Sequence, residues 1–336
     1  MAIHTLKNKN GLEMKVSSLG GVVMEFHVPD REGNFADIAL GFDSEAEYDE
    51  RSPFFGALIG RFGNRIAQGK YSIDGIEYSC VTNNGENSLH GGQVGFDKRE
   101  WDVSPISGDG YTGLRLRLLS GDGDEGFPGN LEVEVLYKLT DDNEWIIEYR
   151  AITDKPTIVN LTQHSYFNLK GHNSGTHCDH EISLNADQIV PVGSDLIPTG
   201  ELMPVDRTPF DLRKTTIIEQ GIDVDHPQIE VAGGYDHTFV LNKSQKDELS
   251  LAGTVSDSYS GRSMKVYTTE PGVQFYTGNF IENGLKGKSG TIYQKRSGFC
   301  LETQHYPDSP NQPNFPSTRL APGEIYLSKT VYAFEA

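Results

Sequence analysis

Two-residue alternation dominates the chain. Leu114, Leu116 and Leu118 are separated by Arg115 and Arg117, and Leu131, Val133, Val135, Tyr137 and Leu139 alternate with Glu132, Glu134 and Lys138. Successive side chains of an extended chain point to opposite faces, so this spacing predicts strands with one buried and one wetted face. Segments 145–151, 264–268, 273–277 and 325–334 read the same way. Turn clusters such as 121–126 and 284–290, rich in Gly with Asp, Ser or Lys, separate them. Helical candidates are short, at 44–50 and 216–220. An α/β fold would need several helical segments of about ten residues or more, and they are missing. No linker, composition break or internal repeat divides the chain. The pattern predicts a mainly β protein, one domain over residues 1–336, built as a large antiparallel β-sandwich. Functional residues are then expected on loops and strand ends over one concave face.

Composition narrows the partners. The 336 residues carry a net charge of −19, which argues against nucleic acid, because phosphate binding needs a basic face. The same balance disfavours a site dedicated to phosphorylated substrates. Three cysteines, Cys80, Cys178 and Cys300, are too few and too far apart for a disulfide framework, which points to a reducing compartment. The N-terminal segment has no apolar signal region and no run reaches membrane-spanning length, so a soluble cytoplasmic protein without membrane contact is expected. Asn160-Leu161-Thr162 and Asn242-Lys243-Ser244 match glycosylation sequons, but without a signal peptide they are chance matches. No glycine-rich phosphate loop follows a strand, and no cofactor is expected.

Chemistry concentrates in five segments. In 299–311, Glu302 sits among apolar residues and is followed by Pro307 and Pro310, which cannot belong to a helix or a central strand. A strand that presents an acid and then breaks into rigid loop can aim one side chain at a pocket, although an edge-strand surface residue fits the same pattern. In 60–66, Arg61 and Arg65 flank Gly63 and Asn64. Arg65 could fork onto vicinal hydroxyls or a carboxylate, or both arginines could make structural ion pairs. His90 precedes Gly91 and Gly92, which permit close approach of backbone or ligand, or simply a turn. Segment 160–169 mixes small polar residues and aromatics around His164, as a sugar-facing wall or around a satisfied core histidine. Asp236, after Tyr235, could accept hydroxyl hydrogen bonds or cap a turn. His172, His177, Cys178 and His180 crowd together, but their spacing matches no usual zinc site. Asp122, Asp124 and Glu125 lack a complete calcium-loop pattern. No metal site is expected.

Taken in chain order, the quoted motifs become specific. Asn64-Arg65-Ile66, Leu89-His90-Gly91-Gly92, the run Asn160 to Leu169, Ile197-Pro198-Thr199-Gly200-Glu201, Gly234-Tyr235-Asp236-His237, Pro271 to Asn279 and the Glu302 segment through Ser317 together resemble the aldose 1-epimerase family, also called galactose mutarotases. The resemblance runs from about residue 10 to the C-terminus. It implies an antiparallel β-supersandwich, a free monosaccharide as substrate, no cofactor, and a monomer or homodimer. It further implies Glu302 as general base and His164 as general acid. Asn64, Arg65, His90, Asp236 and Gln274 would bind the sugar, and Tyr166 would line the pocket. Thr238 and Gly193 stand where asparagine and aspartate are more usual in the family. On ordinary side-chain pKa values, Glu302 would be ionised at neutral pH and His164 would supply the proton as a histidinium. A hexose-6-phosphate 1-epimerase, a glycosidase pairing Asp236 with Glu302, and a non-catalytic sugar-binding module are the alternatives.

Overall fold

A computed structural model describes residues 2–336. The alternating segments form a nine-stranded antiparallel sheet. Its spatial order is Asp102–Gly108, Tyr111–Ser120, Leu131–Thr140, Glu144–Thr153, Tyr326–Glu335, Ser263–Thr268, Ser250–Ser256, Glu181–Leu184 and Thr216–Ile217. Residues 131, 133, 135, 137 and 139 are all buried, whereas Glu132 is exposed, as the period of two requires. A second sheet of four strands covers Ile3–Lys7, Glu13–Ser17, Val23–Pro29 and Phe35–Asp37. A third, of five strands, runs in the order Met203–Pro204, Ala186–Val190, Asp236–Leu241, Gly272–Tyr276 and Cys300–Gln304. The expected mainly β, antiparallel sandwich is the observed architecture, and the helices are short.

The sheets meet over one apolar cluster that includes residues of all three. Trp145 is its centre. Its ring stacks on Tyr332 at 5.2 Å and meets Tyr137 and Phe26 edge-on at 5.3 and 5.9 Å. Phe26 comes from the four-stranded sheet, and Phe239 and Phe275 enter from the five-stranded one. Such aromatic contacts add to the large apolar area these rings remove from water.

The five-stranded sheet departs from the polar-out pattern. Every residue of Gly272–Tyr276 and of Cys300–Gln304 is buried. Phe239, Val273, Phe275 and Leu301 fill the core from one face. The opposite face carries Asp236, Thr238, Gln274, Tyr276, Cys300 and Glu302, aligned by the pairings Asp236–Tyr276–Cys300 and Thr238–Gln274–Glu302. A polar face buried this thoroughly is covered by other parts of the chain, and that is where the pocket forms.

Local expectations fared unevenly. The 44–50 helix is present as Glu45–Arg51, with the Glu47 carboxylate accepting from the Ser44 N–H at 3.2 Å. The 216–220 helix is corrected: Thr216–Ile217 is an edge strand paired with Glu181–Leu184, and only Glu219–Ile222 is helical. The β-branched run Thr215 to Ile218 favours the extended form. Segment 284–290 is likewise more than a turn. Leu285–Lys286 pairs with Ile292–Tyr293, and buried Lys288 donates to the Met24 carbonyl at 2.7 Å and pairs with Asp37.

Arg61 is a structural residue, but through main-chain carbonyls rather than the ion pair that the sequence reading allowed. Its buried guanidinium donates to the carbonyls of Ser120, Gly121, Pro128 and Gly129 and to the Ser120 hydroxyl. Each buried acceptor left unpaired costs about 1–3 kcal/mol. Arg61→Met should therefore lower the unfolding free energy by about 3 kcal/mol or more in denaturant titration. A loss below about 1 kcal/mol would show that the loops close without this guanidinium.

Candidate active site

A cavity of about 300 Å³ opens over the polar face of the five-stranded sheet, and Glu302, Asp236, His164, His90, Arg65 and Asn64 all line it. Three regions far apart in sequence build it. The sheet contributes Asp236 and Glu302. The short strand Thr162–His164, paired with Ala57–Ile59, contributes His164. The two-residue ladder Arg65–Ile66 with Ser88–Leu89 holds Arg65 beside His90.

Glu302 is 2 % exposed, and its Oε2 has no hydrogen-bond partner among the described residues. Its Oε1 lies 3.5 Å from His164 Nε2. His164 Nδ1 meets the Cys300 thiol at 3.4 Å, and its ring stacks on Tyr166 at 5.0 Å and Phe54 at 5.8 Å. The imidazole is thus fixed in plane while one nitrogen faces the carboxyl. Tyr166 donates its hydroxyl to the Pro53 carbonyl at 2.9 Å, so what it offers the pocket is an aromatic wall.

His90 is set for donation. Its Nδ1 accepts from the Asn64 N–H at 3.1 Å, which leaves the proton of the neutral ring on Nε2. His90 has φ +53°, and Gly91 at φ +90° follows it; a Cβ on Gly91 would lie 1.9 Å from the Gly60 carbonyl oxygen. The close approach that this glycine permits is therefore backbone against backbone. Arg65 Nε donates to the Asn84 side-chain oxygen at 3.1 Å, and its two terminal nitrogens have no partner among the described residues. Gln274 lies behind Asp236, donating to Oδ1 at 2.6 Å while accepting from the Thr238 hydroxyl at 2.5 Å. It orients the carboxyl from the sheet, at a small recess continuous with the same residues.

Burial dominates the electrostatics and works against the protonation states that ordinary side-chain values give. Loss of solvent pushes the Glu302 carboxyl well above its ordinary value, the neighbouring Asp236 pushes it further, and only Arg65 opposes. Asp236 is raised for the same first reason, against Arg65 and Gln274. His164 is driven down to about 3 by burial, and His90 well below the usual histidine range by burial and by the charges of His164 and Arg65. Burial thus favours the neutral form of each group, a protonated Glu302 beside a neutral His164, whereas ordinary values give a carboxylate and a histidinium. The pair still carries one proton in total, and a single transfer between the two groups interconverts the forms.

One ligand atom from each of His90, His164 and Glu302 lies within 4.8 Å of the others. The set does not fit a metal. A metal-bound imidazole normally donates its second N–H, whereas His90 accepts there, and Arg65 adds a fixed positive charge. The group Glu25, His27 and Asp37 is held by the ammonium groups of Lys15 and Lys288. His172, His177 and His180 bond instead to the Tyr293 hydroxyl, the Thr277 carbonyl and the Leu169 N–H. Sequence reading missed Phe54, Asn84, Leu196 and Tyr276, which also line the cavity. Phe54 and Leu196 have positive φ, at +66° and +61°, a property that no residue type announces.

A buried carboxyl and imidazole beside one guanidinium, mounted on the polar sheet face of a β-sandwich, form a site suited to moving protons on a small polar ligand. Comparison with known proteins places it further. The family description "Aldose 1-epimerase" matches residues 2–333. Galactose mutarotase of Homo sapiens is 47% identical over 323 residues, which cover 96% of this chain and 91% of that protein. Aldose 1-epimerase of Escherichia coli (strain K12) is 40% identical over 334 residues, 99% of this chain and 94% of that protein. The crystal structure of a GalM/aldose epimerase homologue from C. elegans superposes with a TM-score of 0.90 at 30% identity, covering 99% and 98% of the two chains. The chain belongs to the aldose 1-epimerase family, and its activity is of that isomerase class.

The proton inventory has a measurable consequence. A second proton can join the pair only as His164 titrates, and burial has moved that step down to about 3. The value of kcat/KM should then hold between about pH 7 and about pH 5. An acid limb with a midpoint near the ordinary histidine value, about 6.5, would contradict the displaced His164.

Proposed function

We propose that the protein interconverts the α and β anomers of free aldohexoses, galactose and glucose among them, with Glu302 as general base and His164 as general acid. The observation that carries this reading is the buried Glu302 carboxyl, one oxygen unpartnered and the other 3.5 Å from His164 Nε2. Sugar hydroxyls that donate to the Glu302 carboxyl favour its ionised form, and on binding the proton of the pair moves from Glu302 to His164. Glu302 then takes the proton of the anomeric hydroxyl while His164 protonates the ring oxygen, and the ring opens to the aldehyde. Rotation about C1–C2 presents the other carbonyl face. Closure reverses both transfers, Glu302 returning a proton to O1 and His164 recovering one from the ring oxygen. Nothing is oxidised and no group leaves, so the proton pair suffices.

Arg65, the His90 Nε2–H, Asn64 and Asp236 hold the remaining hydroxyls, leaving the C1 end free to turn. Gln274 acts through Asp236. The cavity walls carry one permanent cation, Arg65, and it is flanked by Asp236 and Glu302. That balance supports a free sugar over a phosphorylated one. Among the described residues no helix is long and apolar enough to cross a membrane.

Polarimetry of freshly dissolved α-galactose or α-glucose tests the proposal. Wild-type protein should accelerate mutarotation, and Glu302→Gln or His164→Gln should lower kcat by about 10²–10⁴-fold, the usual worth of one acid or base. Wild-type protein that leaves the spontaneous rate unchanged would refute it. Equal rates on glucose and glucose 6-phosphate would contradict the preference for unphosphorylated sugar.

A further inference from the structure

Asn160 is fully buried, does not line the cavity, and hydrogen-bonds the two limbs that do through both amide hydrogens and its side-chain oxygen. Its Nδ2 donates to the carbonyl of Gly63 at 3.0 Å and to that of His305 at 3.2 Å, while its Oδ1 accepts from the His305 N–H at 2.9 Å. Its main chain adds two bonds, accepting from the Gly63 N–H at 2.6 Å and donating to the Arg61 carbonyl at 3.1 Å. Gly63 immediately precedes Asn64 and Arg65, and His305 lies three residues beyond Glu302.

We infer that Asn160 is a positioning residue: its side-chain amide clasps the loop bearing Asn64 and Arg65 to the end of the strand bearing Glu302. The ladder of that strand ends where Gln304 faces Gly272. At the next residue the planar amide of Asn160 takes the place of a neighbouring strand, pairing both main-chain groups of His305. Beyond it the chain turns into Tyr306-Pro307, where proline has no N–H to offer. The His305 side chain is tied separately, through Nδ1 to buried Glu270 at 2.6 Å. Without the side-chain clasp, the Asn160 main chain still holds Gly63, and the loop meets the chain beyond His305 only further along, where the Asp308 N–H donates to the Arg65 carbonyl at 2.8 Å and Asp308 Oδ1 accepts from the Ala67 N–H at 2.9 Å. The distance between the guanidinium that holds the sugar and the carboxyl that takes its proton then loosens. Sub-ångström placement is what acid/base catalysis on a bound sugar requires.

The inference rests on the proposed epimerase activity, which the wild-type mutarotation rate tests by itself. With that rate established, Asn160→Ala should lower kcat/KM for galactose by about 10–100-fold, with kcat reduced and KM raised, at unchanged far-ultraviolet circular dichroism. In an Arg65→Ala background the rise in KM caused by Asn160→Ala should shrink to less than about twofold, while the fall in kcat persists through the Glu302 limb. Wild-type kinetics with a merely lowered Tm, or the same KM factor in both backgrounds, would overturn the clasp. Should Asn160→Ala fail to fold, Asn160→Asp decides. It keeps the acceptor for the His305 N–H but offers no donor to the Gly63 or His305 carbonyl, so KM should rise and kcat should fall; an unchanged KM would overturn the inference.

Discussion

Everything about the site depends on the register of three antiparallel strands. Asp236 faces Tyr276 and Tyr276 faces Cys300, while Thr238 faces Gln274 and Gln274 faces Glu302. With a side-chain period of two, a slip of one residue would turn Glu302 into the core and bring Thr303 to the pocket. The register is pinned from the core side. Phe239, Val273, Phe275 and Leu301 are buried in the central cluster, the Tyr332 hydroxyl donates to the Leu301 carbonyl at 2.9 Å, and Thr303 meets Thr330 at 2.5 Å. The same contacts that hold the sandwich together therefore aim the polar face.

Burying that face creates the chemistry. In water Glu302 would be a carboxylate and His164 would titrate near neutrality. Deprived of solvent, each is driven toward its neutral form, and the pair keeps one mobile proton without carrying separated charge. An unpartnered carboxyl oxygen in a buried setting is costly for stability, and it is tolerated where a ligand supplies the missing partner. Arg65, bonded to Asn84 through Nε alone, leaves its other donors for the same ligand.

Much of this was legible in the sequence, and the reasons are physical. The strands of the nine-stranded sheet announced themselves because one face is wet, so Leu114 to Leu118 and Leu131 to Leu139 alternate. The five-stranded sheet announced itself less, since both its faces are buried. Glu302, His164, His90, Arg65, Asn64 and Asp236 stood out as polar residues in odd contexts, and they converge on one cavity. Gln274 was assigned only through the family resemblance and Asn160 was not singled out at all, because sequence cannot separate a residue that touches a ligand from one that holds its neighbour. Phe54 and Leu196 were invisible because their contribution comes from backbone shape, and Thr216–Ile217 was misread because its pairing partner lies far away in the chain. Protonation states were beyond reach for the same reason, since burial is a property of the whole fold.

Proton sharing between Glu302 and His164 is tested most directly by the protonation state of His164, read by nitrogen-15 magnetic resonance with Glu302→Gln and His164→Gln proteins for assignment. A neutral imidazole is expected in the free protein at neutral pH and an imidazolium when galactose is bound. An imidazolium already present in the free protein, or a neutral ring in both states, would contradict it.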